Sequence, residues 1–155
     1  MAIPKKIFNE VGFFPEGVPI GGDLDMWMRI GAKFSVAVSC YIGAVYHRDA
    51  ENRIDTGKIR DIEYELVKTG SRLLSSAQLA PQQRKYLREY ICMYQINTAA
   101  QLILLGRRSE AMKILLQCKT GMFFHRIVWW LFWALFPTSI ALWVHEMKKE
   151  MVSGK

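Results

Sequence analysis

Gly21-Gly22-Asp23-Leu24-Asp25-Met26-Trp27-Met28-Arg29 joins a glycine pair to a helical pattern through an aspartate. Leu24, Trp27, Met28 and Gly31 fall on one face of a 3.6-residue repeat. Asp23 fits the N-cap of that helix and Gly31 its C-terminal stop. A carboxylate at a helix N-terminus is held ionised by free amide donors and the helix dipole. Such a group can take a proton from a hydroxyl nucleophile, and the glycines beside it leave room for a substrate to approach. The same spacing also serves a plain cap, with Asp25 as a first-turn acid, and spacing alone does not separate the two.

Upstream, Lys5 to Val11 predicts a short helix closed by Gly12. Phe13 to Gly22 holds two prolines and three glycines, which leaves a loop. Downstream, Phe34 to Ser39 alternates weakly and reads as a strand; Tyr41 to Tyr46 reads as a second, ending at His47. Residues 1–55 therefore form a mixed zone of short helix, loop, helix and two strands.

Residues 56–120 read as helical and charged. Ile59, Ile62, Leu66 and Leu73 mark an amphipathic helix broken around Gly70. Pro81 suits a first helical turn, and Leu87, Ile91, Tyr94, Thr98 and Leu102 mark the buried face of a longer helix that Gly106 ends. Ser109 caps a further helix with Ala111, Leu115 and Cys118 inside. Together these two helices make a hairpin at 80–118. The expected fold class is α+β, mostly α.

In the third zone, 121–155, Ile127 to Val144 carries no Asp, Glu, Lys or Arg. Its length is at the lower limit for a spanning helix, which needs about 20 residues. Pro137 splits it, and Ile140, Val144, Met147 and Met151 then form one apolar stripe opposed by Glu146, Lys149 and Glu150. The favoured reading is an interfacial or re-entrant membrane anchor, ahead of a transmembrane helix or a buried pair of core helices. A net charge of +7 favours an anionic partner, and an anionic membrane surface fits it. Basic residues are scattered and no nucleic-acid motif occurs, so no nucleic-acid partner is expected. Cys40, Cys92 and Cys118 form no CxxC pair, which argues against a zinc site or a disulfide framework and for reduced thiols in a cytoplasmic setting. Nothing apolar follows the lysines of the first residues, so no signal peptide is expected there.

The stretch from Phe8 to Gly17, followed by Gly22-Asp23-Leu24-Asp25-Met26-Trp27-Met28-Arg29-Ile30, resembles the pattern of family 2 glycosyltransferases of the GT-A fold. There a G-x-F-x-E loop precedes an acidic pair that leads into a D-x-W-x-R helix. Ala44 to Arg53 is similar to the strand and following loop of that family. The resemblance covers residues 4–55 and implies a partial, C-terminal GT-A segment.

What it implies is transfer of a sugar from a nucleotide-sugar to an acceptor hydroxyl, on a saccharide or a lipid-linked saccharide, in the hexosyltransferase class. Asp23 matches the second acid of the pair, the proposed general base; the first acid is Gly22 here. Asp25, Arg29 and Trp27 match positions that could contact acceptor or phosphate, although Trp27 also suits a core position and Arg29 a surface ion pair. His47 stands where some GT-A enzymes place a ligand to the metal or diphosphate, and equally suits a strand-end histidine. The family implies a divalent cation, magnesium or manganese, on a nucleotide site upstream of this region. No Asp-x-Asp precedes residue 23, so the chain is expected to lack the donor half and to be inactive alone, at the inner face of a membrane. A non-catalytic helical interaction module at a membrane surface is the competing expectation.

Overall fold

A computed structural model describes residues 2–18, 20–45, 64–76, 79–143 and 147. The described residues are mostly helical, and their longer helices are α1 Lys5–Val11, α2 Gly22–Lys33, α3 Glu65–Ser75, α4 Pro81–Leu104, α5 Arg108–Gln117 and α6 Phe124–Ala134. Helix α4, 24 residues and therefore about 36 Å long, is the axis against which α3, α5 and α6 pack. Helix α2 lies on α3, and α1 on α2.

Local chemistry accounts for most of the boundaries. Gly12 closes α1 at φ 81°, its amide bonded to the Phe8 carbonyl. Pro81 opens α4, and Gln83 Oε1 accepts the Ala80 amide at 3.0 Å. Gly106, at φ 82°, ends α4 in a Schellman arrangement, with Arg107 N bonded to Leu102 O and Gly106 N to Ile103 O. The expected hairpin at 80–118 is therefore present as α4 and α5. After α6, Pro137 starts a new turn whose carbonyl accepts the Ile140 and Ala141 amides, and residues 138–143 are helical.

Burial on α4 is not the single stripe the sequence predicts. Ile96, Ala99 and Ile103 are fully enclosed and Leu102 and Leu104 nearly so, because α5, α6 and the turn after Pro137 pack over the C-terminal half of α4. Ala111 and Leu115 of α5 and Ile127 and Ala134 of α6 complete this cluster. A second cluster joins Ile7 of α1 to Met26 and Ile30 of α2.

Four expectations need correction. No strand occurs among the described residues: 35–45 is irregular and exposed, so the run expected as Phe34–Ser39 has no neighbour to pair with, and the second loses its partner with it. Helix α2 begins on Gly21, at φ 84°, which makes Asp23 a first-turn acid rather than the cap, and it runs through Gly31 to Lys33. Gly70 does not break α3; it is where α3 crosses its neighbours. A Cβ there would lie 2.6 Å from Ile91 Cδ1 and 3.1 Å from Met28 Sδ. Ser109, likewise, lies inside α5 rather than at its cap. Ile59, Ile62, Val144 and Met151 lie outside the described residues.

Gly70→Val should cost about 1–3 kcal/mol through overpacking, despite relieving glycine's poor helix propensity. Urea unfolding with matched m-values measures this; a stabilised variant would show that α3 does not approach α4 so closely.

Candidate functional site

Asp23 sits in the first turn of α2 and is exposed, and its Oδ1 accepts the Leu24 amide at 2.9 Å. A carboxylate has a second oxygen, which suits it to meet an incoming donor. Pro15 lies against the helix start: a Cβ on Gly22 would be 3.4 Å from Pro15 Cγ. The glycine at 22, where the resembling family carries an acid, thus gives the loop its close approach.

One turn further along the same face, Trp27 enters an open groove of about 460 Å³ between α2 and α4. Met28 and Gly31 of α2 and Gln83, Tyr86 and Tyr90 of α4 contribute to its walls. Phe14 meets the Trp27 ring edge-on, centroids 6.2 Å apart, which limits how the indole can turn.

Tyr90 links this groove to Asp23. Its ring is 5.2 Å from that of Tyr94, which in turn stands 4.9 Å from Tyr64, both pairs edge-to-face. Burial first, then the Tyr90 hydroxyl and the negative charge of Asp23, push the Tyr94 phenol well above the usual range. Tyr94 therefore remains a neutral hydroxyl at any physiological pH. The tyrosines were missed as site residues in the sequence, although Tyr86, Tyr90 and Tyr94 recur every fourth residue and so share a helical face.

Asp25 and Arg29 are turned the other way. Asp25 is 3 % exposed, and Arg29 Nε bonds its Oδ2 at 2.8 Å. The same guanidinium donates to the Val11 carbonyl and, at 2.8 Å, to the Phe13 carbonyl. Lys33 adds a bond to the Glu10 carbonyl at 2.9 Å. These contacts fasten the end of α1 and the loop after it to α2. In this arrangement Arg29 and Asp25 hold the loop that flanks Asp23.

Away from this site, Glu89 of α4 organises the turn before α6. It accepts from the Thr120 hydroxyl and from the Gly121 amide at 3.0 Å, and the Thr120 bond chiefly holds its carboxyl below the ordinary range. Cys92 and Cys118 are free thiols facing each other between α4 and the end of α5. Cys118 Sγ donates to Gln95 Oε1 at 3.6 Å; the proximity of the two thiols lowers Cys92 to about 7 and raises Cys118.

His47 lies outside the described residues. No cluster of three His, Cys, Asp or Glu side chains forms among those described. Comparison with protein-family models, with curated proteins and with solved structures finds no match to this chain.

Proposed function

We propose that this chain is the acceptor-side, C-terminal region of a sugar-transferring enzyme of GT-A type, with Asp23 as its general base. The observation that carries this is the open Asp23 carboxylate with an aromatic groove one helical turn away on the same face. Sugar rings present apolar C–H faces that aromatic side chains cover, and hydroxyls that need a polar neighbour; Trp27 and Tyr90 supply the first and Asp23 the second.

In the reaction, Asp23 removes the proton from an acceptor hydroxyl as its oxygen attacks the anomeric carbon of the donor sugar. The bond from that carbon to the diphosphate oxygen breaks on the opposite side, so the configuration inverts. A divalent cation at the donor site would neutralise the leaving diphosphate; no step here is drawn through it.

A second feature supports a missing donor half. Val36, Val38, Tyr41, Ile42 and Val45 are exposed, Val38 by 88 %, although such residues favour strands with one covered face. In the GT-A reading, 34–45 takes its strand form against a sheet supplied by the nucleotide-binding half. The alternative, a helical interaction module without catalysis, rests on the α4–α5 hairpin and leaves the exposed base beside the groove without a role.

The donor half is tested by titrating the chain calorimetrically with uridine and guanosine diphosphates in manganese. No saturable binding is expected. A tight one-to-one complex would contradict the assignment of the donor site to another part of the enzyme.

A further inference from the structure

Helix α6 has two unlike faces. Ile127 and Ala134 are buried against α4 and α5, which anchors the helix to the body of the protein. On the other side Phe124, Val128, Phe132 and Leu135 follow one another at three- and four-residue steps and are all exposed, with Trp129 at the edge of the same surface. Trp129, Phe132, Trp133 and Phe136 pack edge-on or tilted against one another, so these rings form a continuous apolar surface.

Two observations identify what covers it. The first is charge. From Ala111 to His145 the sequence has no aspartate or glutamate, while Lys113, Lys119 and Arg126 fall within it. Lys113 and Lys119 are exposed; Arg126 is tied to Asn97. An apolar surface drawn from a stretch with only positive charge is complementary to an anionic bilayer, and repels a second copy of the same stretch. The second is length. No helix among the described residues is long and apolar enough to cross a membrane, and the 11 residues of α6 reach about 16 Å, half the hydrocarbon thickness. With its inner face committed to the core, α6 can only lie in the plane of a bilayer.

We infer that α6 docks this protein on an anionic membrane, lying parallel to the surface with Phe124, Val128, Phe132 and Leu135 among the acyl chains. Trp129 then occupies the headgroup boundary, where amphipathic aromatic rings are favoured. Lys113 and Lys119, exposed on the same acid-free stretch of sequence, supply the positive charge that draws the protein to the lipid phosphates. Nothing in this inference depends on Asp23, so it stands or falls apart from sugar transfer.

The test uses the purified 155-residue chain with phosphatidylcholine vesicles, with and without phosphatidylglycerol. The protein is expected to sediment with the phosphatidylglycerol vesicles at low salt, with a blue-shifted tryptophan emission, and to be released as salt rises. The double variant V128D/F132D should partition about tenfold or more weakly at unchanged far-ultraviolet circular dichroism, because both side chains are half exposed and neither belongs to the buried core cluster. K113E/K119E should weaken binding to the anionic vesicles and flatten its salt dependence. Full-length protein that ignores phosphatidylglycerol at low salt would overturn the inference. So would a stable dimer that V128D/F132D dissociates, since the face would then belong to a second copy.

Discussion

Arg29→Ala is expected to destabilise the protein by about 3–5 kcal/mol, the range for removing one partner of a buried ion pair. The Arg29 side chain is 18 % exposed and that of Asp25 4 %. Removing the guanidinium leaves Asp25 charged and enclosed; its Oδ1 already has no hydrogen-bond partner among the described residues. The Val11 and Phe13 carbonyls lose their donor as well, and the loop beside Asp23 comes free. Since small proteins are stable by only about 5–15 kcal/mol, the variant should approach unfolding at ambient temperature. Urea denaturation followed by intrinsic tryptophan fluorescence measures the loss. Arg29→Ala combined with Asp25→Ala should recover part of it by removing the stranded charge. A loss below about 1 kcal/mol would place the pair among exposed, weakly contributing ones.

Much of the helical framework is legible in the sequence because its signals are local. Gly12, Pro81, Gly106 and Pro137 act on the backbone of their own turn, and each marks a boundary where the sequence predicts one. Readings that depend on a neighbour do less well. The alternation of Phe34 to Ser39 satisfies the strand pattern, but a strand also needs a ladder to join, and none is present among the described residues. Gly70 has the composition of a helix breaker, whereas its role comes from Ile91 and Met28 on two other helices.

The candidate site divides in the same way. Asp23 is legible from its glycine approach and its place before an apolar helix, although Gly21 rather than Asp23 caps that helix. The division of labour between the two acids is not legible. Asp23 and Asp25 are two residues apart, hence on different faces, and only packing against α1 decides which one is buried. The groove is not legible either, since it needs α2 beside α4, and their separation in sequence leaves that pairing open.

If the chain takes part in the proposed sugar transfer, Asp23→Asn carries the largest expected effect on activity. The amide keeps the size of the side chain and can still accept from the Leu24 amide, so folding and acceptor affinity should hold. It cannot accept a proton at neutral pH. General-base catalysis contributes typically about 10²–10⁴ in rate, so kcat should fall by that factor with the acceptor KM nearly unchanged.

The most direct measurement follows radiolabelled sugar from a nucleotide-sugar panel into lipid and polysaccharide fractions, using this chain together with a nucleotide-binding region of the kind the proposed sugar transfer requires. The wild type is expected to incorporate label and Asp23→Asn about 10²–10⁴ times less, at equal folded protein. Equal incorporation by both would contradict the role assigned to Asp23.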